Sequence, residues 1–566
     1  MTDGTALDLR SRQLGAMPLL QHVFERLGLD TLLADHVPTS DSRVLLPSAV
    51  AIGVLLRNVL VGRRPLYALQ EWAAPFATEV LRLPEPGVAS LNDDRIGRAL
   101  DELFDADRAS LMTAVVVRAI EAFDIDLEQL HNDSTSITFS GRYAVATGRK
   151  IRDKRAVKVT HGYNKDHRPD LKQLLWILTV SADGAVPIHY RLADGNTSDD
   201  KTHIATWEAL FALVGGPAFL YVADCKLCSR KNMDYIATRH GRFITVLPRS
   251  RKEDAAFRRH VQTTTPAWEK VPRPTAAHAV DPEDLWHVVE APNRSAEGYR
   301  IVWVWSTAMA ERDQQARLAV IQKAHDAVLA LHAKLQGPRS RLKDRPAVAA
   351  AVERILATSA AARWADVEIV EHREGRYKQA GPGRPNEKTR YVRSERVRFE
   401  LIWRPKTDVI AYDAKSDGMY PLITNCDDLP GADILRKYKY QPQLEKRHEQ
   451  LKTVYAVAPV FLKNEGRIEA LLFIYFLALL VQALIERDVR LAMAAEGLSM
   501  LPLYPEERLC HSPTANRILE VFENVQRHEL TGNGRLVQRF EPTLTELQRT
   551  LLRLLGAPAT IYPGAA

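Results

Sequence analysis

Between residues 126 and 250 strand-like and helical stretches alternate in one order, and that order restricts the possible folds more than any other feature of the 566-residue chain. A β-branched run from Asp133 to Phe139 comes first. A hairpin follows in "LLWILTVSADGAVPIHYRLADG", with Ala182, Asp183 and Gly184 at its turn. Then come a helix, "DKTHIATWEALFALVGG", ended by Gly215 and Gly216, and an apolar strand, Phe219 to Ala223. A second helix, "SRKNMDYIATRHG", leads to a last strand, "FITVLPR". Unbroken apolar runs mark strands covered on both faces. Helices interleaved with such strands place the segment in the α/β class.

Two carboxylates sit at telling points of this pattern. Asp133 opens the first strand, and Asp224 ends the apolar strand, where α/β sheets carry their sites. Taken alone, each aspartate reads as a cap or turn residue. A third carboxylate, Glu445, lies in "RKYKYQPQLEKRHEQLKT". Residues seven apart on a helix share a face, so Glu445 and Lys452 are expected side by side. Arg436, Lys437, Lys439, Lys446, Arg447 and Lys452 surround them against only two acids in residues 436–452. An ordinary solvated amphipathic helix has the same pattern. A lone carboxylate in a cationic surface also suits a divalent ion beside a phosphodiester. Taken together in the order Asp, Asp, Glu, the three read as one metal site, with the hard oxygen donors that Mg²⁺ or Mn²⁺ prefers.

The spacing Tyr438-x2-Gln441-x3-Glu445-x6-Lys452, with the block "GYNKDHRPDLKQLLWILTVSADGAVPIHYRLADGNTSDDKTH" at 162–203, resembles the DDE transposases of bacterial insertion sequences. The likeness is to the IS-four-like group with the pattern Tyr-x2-Arg-x3-Glu-x6-Lys, and it extends from about residue 15 to about 490. It implies a ribonuclease-H-like catalytic core. It also implies catalytic and metal-binding roles for Asp133, Asp224 and Glu445, with Tyr438 and Lys452 as accessory positions. Mg²⁺ or Mn²⁺ is the implied cofactor. The implied partners are double-stranded DNA, as element ends and target, and a second copy of the chain in a synaptic homodimer. One position departs from the pattern: Gln441 stands where it has Arg, which removes a positive charge.

The remaining sequence surrounds that core. Residues 1–125 carry apolar positions at three-to-four spacing and are expected to form an all-helical domain for DNA-end binding or dimerisation, with Ser90 or Asn92 as a cap. The core takes 126–250 and 400–495, and 251–399 is an insertion with helices and a basic loop. Residues 496–566 form a helical tail ending in "TLTELQRTLLRLLG". The stretch 372–398 holds nine Arg or Lys against three Glu. Within it "GPGRP" suggests a hook placing Arg384 in an A·T-rich minor groove, a flexible charged loop being the plainer reading. The basic segment 149–173 offers His167 and Arg168 to phosphates, and Arg447 joins Tyr438 and Lys452 as a DNA contact. A formal net charge of +7 agrees with a polyanionic partner. Four cysteines exclude a disulfide scaffold, and the single CxxC lacks partners for zinc. The apolar stretch Leu471 to Ile485 is too short to span a bilayer and is expected as a buried core helix. The expected setting is the bacterial cytoplasm, at the nucleoid, with no membrane attachment.

Overall fold

The structure, a computed structural model, describes residues 7–40, 44–84, 87–141, 143, 146–272, 284–337, 340, 342–455, 462–533 and 535–562. The chain divides into two compact units. The first takes in Met1–Val246, Thr424–Leu429 and Arg436–Ala566, and the second Leu247–Ile423 and Pro430–Leu435. The N-terminal, core and tail segments separated on sequence thus share one unit.

The first unit is built on a mixed sheet. Its strands are β1 (Gln129–Phe139), β2 (Lys172–Ser181) and β3 (Pro187–Asp194); then, after helix α1 (His203–Val214), β4 (Leu220–Ala223), helix α2 (Arg230–Ala237) and β5 (Arg242–Val246). They lie in the order β3-β2-β1-β4-β5. The β2–β1 and β3–β2 pairs are antiparallel, whereas β1–β4 and β4–β5 are parallel. Every residue of β2 after Lys172 is buried, as are all four of β4, which is why both read as unbroken apolar runs. The β2–β3 turn holds Gly184 at φ 78°, and Gly215 ends α1 at φ 79°. The Ser229 side chain caps α2 by accepting the backbone N–H of Asn232.

Helices cover this sheet. After α3 (Gln441–Glu449) comes α4 (Glu465–Ala495), whose 31 residues are apolar and long enough to cross a membrane on length and composition. Twenty-three of its residues are buried inside the unit, the mark of a core helix. Two of its buried carboxylates are paired: Glu469 accepts from Arg108 at 2.7 Å and Glu486 from Arg447 at 2.7 Å. At the N-terminal side Asn92 caps the helix Asp93–Asp105, its Oδ1 accepting the Arg95 N–H at 2.8 Å.

Two features correct the reading of 1–125 and 496–566 as purely helical. A strand, Leu7–Gln13, pairs antiparallel with Gln526–Gly532, which pairs in turn with Arg535–Phe540. Leu7 and Leu9 are each 60% exposed, so the strand buries no apolar face of its own. Its hydrogen-bond partner lies some five hundred residues downstream, and local periodicity carries no trace of such a pairing. The terminal helix is present as Glu546–Leu554, opened by a capping box between Thr545 and Gln548.

In the second unit the strands Met419–Thr424, Arg300–Ser306, Trp286–Glu290 and Glu269–Val271 are neighbours in that order. Helices Thr307–Gln336 and Arg345–Thr358 pack through Ala324, Val328, Leu335, Val348 and Val352 onto Phe399 and Leu401. The basic stretch is not a loop. Ala365–Gln379 and Tyr391–Pro405 form a two-stranded antiparallel hairpin, fifteen residues on each strand. Alternation was hidden there because the outer half has no buried face and so no apolar period.

Candidate active site

Strand register sets the first two carboxylates. In the parallel β1–β4 pair Asn132 is level with Ala223. One residue further along each strand stand Asp133 and Asp224, on neighbouring strands about 4.8 Å apart. Asp224 lies just past the carboxyl end of β4, where parallel strands present their sites. Its backbone oxygen accepts Thr245 Oγ1 at 2.5 Å, and its Oδ1 accepts the Lys226 N–H at 3.0 Å.

Glu445 is brought to them by α3, which lies on β1. The Gln441 amide oxygen is 2.8 Å from His131 Nδ1, and its nitrogen donates to the Asn132 carbonyl at 3.2 Å. On the next turns His448 Nδ1 stands 3.7 Å from Asp133 Oδ2. Positions 441, 445 and 448 are spaced four and three apart and share one helix face. Anchored on both sides against residues 131–133, Glu445 is held towards Asp133 while remaining exposed. Pro442 occupies the first turn of α3, where its missing N–H costs nothing.

The electrostatics show that the three acids feel one another. Burial and the neighbouring Asp133 push Asp224 up to about 6. Burial likewise raises Asp133, and burial with the Asp133 charge raises Glu445. Such mutual elevation is expected of carboxylates crowded in a half-desolvated cleft. Burial, with the Lys165 and Lys452 charges nearby, holds His448 down to about 3, so its contact with Asp133 involves a neutral imidazole.

A cation already serves this cluster. Lys165 Nζ lies 3.1 Å from Asp199 Oδ2 and 3.5 Å from Asp133 Oδ1, and it donates to the carbonyl and hydroxyl of Ser134. Burial opposes its charge, yet Asp133, Asp199 and Asp224 together hold its ammonium above the ordinary lysine value. The loop bearing Lys165 reaches the site through two close approaches. A Cβ on Gly162 would fall 1.9 Å from the Gly195 carbonyl oxygen, and one on Gly195 would fall 1.9 Å from that of Gln173. Only glycine fits at either position. Among the described residues no three His, Cys, Asp or Glu side chains stand at metal-holding distance as arranged. The acids are coupled in charge around Lys165 rather than drawn to a common point.

The other site residues separate into those near the cluster and those elsewhere. Tyr438 is half-buried, and burial followed by the Asp224 charge raises its phenol, with Glu445 and Asp133 contributing. Lys452 follows Glu445 across a change of helix type. After Glu449 the helix continues as a π-turn over Gln450–Val454, in which each residue rotates less than in an α-helix, so the seven-residue spacing no longer makes two turns. Its ammonium is 2.5 Å from Asp166 Oδ1, tying down the loop next to Lys165. Arg447 is corrected from DNA contact to core residue. Its side chain is 3% exposed, pairs with Glu486 and donates to the Ala185 and Gly184 carbonyls, so it is closed to a phosphate. His167 and Arg168 are exposed on the 160s loop, with the Arg168 guanidinium forked onto Asp170 at 2.7 and 2.9 Å. Arg384 lies in the second unit, exposed at the hairpin tip.

Lys165, Asp199 and His448 were missed on sequence. His448 was within reach, since it lies three residues past Glu445 and so on the same face. Lys165 and Asp199 both fall inside the 162–203 block, yet nothing local marks them as neighbours.

Comparison with known proteins adds the following. Residues 9–117 match the family model described as "Domain of unknown function (DUF4277)". No curated protein matches the sequence. Among solved structures the chain is similar to a cryo-EM structure of a piggyBac transposase synaptic complex with hairpin DNA, at 12% sequence identity and a TM-score of 0.26. That similarity covers 51% of this chain and 60% of the other, too slight a likeness to argue from.

Proposed function

We propose that the chain is a DNA transposase of the DDE type. It would bind the terminal inverted repeats of an insertion sequence, cleave phosphodiester bonds there and join the 3′ ends to target DNA, working as a homodimer on two ends. The observation that carries the reading is the level placement of Asp133 and Asp224 on adjacent parallel strands, with Glu445 delivered beside them by a helix pinned to the same strand. The strand order β3-β2-β1-β4-β5, with its antiparallel hairpin on one side of β1 and parallel strands on the other, supports a ribonuclease-H-like core.

The donor set fits Mg²⁺ or Mn²⁺. Three hard carboxylates raised first by burial, with the Asp133 charge adding to it at Asp224 and Glu445, favour a divalent counter-charge. Asp133, Asp224 and Glu445 would hold it, and Lys165 would yield its contact with Asp133. A divalent ion held by these residues would supply polarisation of the attacking and leaving oxygens in an in-line displacement. The chain itself contributes position and charge, which dominate phosphoryl transfer. Asp133 and Asp224 are fixed by strand register, and Glu445 by the Gln441 tether. His448, neutral at physiological pH, places an uncharged ring against Asp133 and adds no competing cation. Exposure of Glu445 leaves one side of the cluster open to a duplex.

The test is cleavage of a labelled duplex carrying the flanking element ends, in Mg²⁺, by the wild type and by Asp133→Asn. The substitution keeps the size and removes the charge. Product formation should fall at least about 100-fold, the scale of losing one charge-stabilising group at a reacting centre. Undiminished cleavage by Asp133→Asn would defeat the site assignment. Cut ends that never join a supercoiled target would reduce the protein to a nuclease.

A further inference from the structure

We infer that the outer half of the second unit's hairpin is a DNA-binding arm, a two-stranded ribbon built to lie in the major groove of a duplex. The inference takes its partner from the proposed function and to that extent rests on it.

The hairpin has two distinct halves. Near its base Phe399 and Leu401, with Val367, Ile369 and Trp403, pack against helices Thr307–Gln336 and Arg345–Thr358. From Glu371 to Arg398 no residue is buried. The paired positions from Glu371 to Gln379 alone extend about 30 Å at the rise of an antiparallel strand. An uncovered two-stranded hairpin is marginal by itself, and this one carries no apolar face to offset that.

Its charges are sorted by face. Cross-strand pairs share a face, so the register puts His372 with Arg398, Glu374 with Arg396, Arg376 with Ser394 and Lys378 with Val392 on one side. That side carries Arg376, Lys378, Arg396 and Arg398 against the single acid Glu374, which lies 3.5 Å from Arg398. Arg376, Lys378 and Arg396 have no carboxylate partner among the described residues. The opposite side presents Tyr377, 70% exposed, and Tyr391, 53% exposed, beside Arg393. Like charges two apart on one face repel, so the arrangement costs stability in the free protein. A polyanion relieves it. The major groove of B-DNA, about 12 Å wide, admits a two-stranded ribbon, whereas the deep, narrow major groove of an RNA duplex does not.

The experiment uses the full chain, a fluorescein-labelled 30-base-pair DNA duplex of arbitrary sequence, and EDTA to suppress cleavage. Anisotropy is read from 50 to 200 mM KCl. The triple variant Arg376→Ala/Lys378→Ala/Arg396→Ala is compared with wild type and with Arg312→Ala/Lys323→Ala/Lys343→Ala, which removes the same formal charge from exposed sites elsewhere in the second unit. The arm variant should bind about 10- to 100-fold more weakly at 100 mM and lose roughly two to three units of slope in log K against log salt. The control should stay within about two-fold of wild type. An RNA duplex of equal length should be far less sensitive to the arm variant.

Four binding results overturn the inference. They are wild-type protein that does not bind the duplex, an unchanged arm variant, a control that weakens as much as the arm variant, and an RNA duplex equally affected. Aggregation of the arm variant with its DNA affinity intact would assign the charges to guarding the open strand edges, which also overturns it. Cleavage is not part of this readout. Failure of the cleavage test with arm-dependent binding intact removes the proposed reaction and leaves the arm.

Discussion

Replacing Lys165 by Met removes the one cation at the centre of the acidic cluster and keeps much of its aliphatic volume. At an effective dielectric near 20, an ammonium 3.1 Å from one carboxylate and 3.5 Å from another gains about 5 kcal/mol from each. Desolvation takes back most of that gain. The Lys165, Asp133 and Asp199 side chains are 26%, 21% and 15% exposed, so solvent screens what is left. A net loss of about 2 kcal/mol follows, equivalent to roughly 2–3 °C in Tm for a unit of this size. The accompanying effect has the opposite sign. With the ammonium gone, divalent ions meet three unneutralised carboxylates and no competitor. Lys165→Met should therefore melt below wild type in EDTA and gain more than wild type on adding Mn²⁺, with a tighter Mn²⁺ Kd by calorimetry. Both are read by differential scanning fluorimetry and titration at pH 7.5, with no DNA present. Equal stability in EDTA together with an equal Mn²⁺ response would refute the reasoning, because Lys165 would then be neither counter-ion nor competitor.

Two further outcomes follow from the same region. Asp224 has a folded pKa of about 6, above the unfolded value near 4. The proton it holds stabilises the fold fully below pH 4, and that contribution is lost as pH rises past 6. Asp224→Asn should thus match wild type near pH 4 and exceed it by about 2–3 kcal/mol at pH 7 in EDTA, read by urea denaturation; a gap that does not vary with pH counts against the crowding of the acids. Arg447→Met leaves Glu486 buried without its main partner and should cost about 3–5 kcal/mol, with the DNA affinity of the folded protein unchanged by anisotropy. Weakened DNA binding at full stability would return Arg447 to the surface role the sequence suggested.

The strands of the first unit could be read from the sequence because burial on both faces writes itself as continuous apolar runs, as in β2 and β4. Their turns were equally plain at Gly184 and Gly215. Asp224 was found because strand ends are recognisable; Asp133, expected to open its strand, lies inside β1, which starts four residues earlier at Gln129, and the level placement of the two needs only the parallel pairing of β1 with β4. What escaped has a common cause. The strand Leu7–Gln13 and the outer hairpin bury no side, so neither shows a period. Lys165 and Asp199 meet by tertiary contact between loops, one of them laid down through the Gly162–Gly195 approach. At Lys452 a π-turn interrupts the α-helical spacing from which a shared face with Glu445 was argued.

Position 441 shows how the geometry of the cluster is enforced. The resemblance has an arginine there, and its loss reads on sequence as a missing charge for DNA. In the fold the Gln441 side chain is buried at 6% exposure and faces β1. Its amide meets the two groups the strand offers, the His131 ring nitrogen and the Asn132 carbonyl. Burial lowers His131 to about 4, so the ring is neutral and Nδ1–H donates to the amide oxygen. A neutral side chain with both a donor and an acceptor satisfies that pair, whereas a guanidinium has no acceptor for the ring N–H. The same strand is gripped again where Gln129 meets Lys437, its amide nitrogen 3.0 Å from the backbone carbonyl and its oxygen 3.3 Å from the ammonium. Residues 129, 131, 132 and 133 are therefore held in turn by 437, 441 and 448. The helix cannot slide along β1 without breaking several buried polar contacts at once, each costing about 1–3 kcal/mol when left unmade. The place of Glu445 is set chiefly by the neutral hydrogen bonds of Gln441 to β1, which do not weaken in salt as surface ion pairs do.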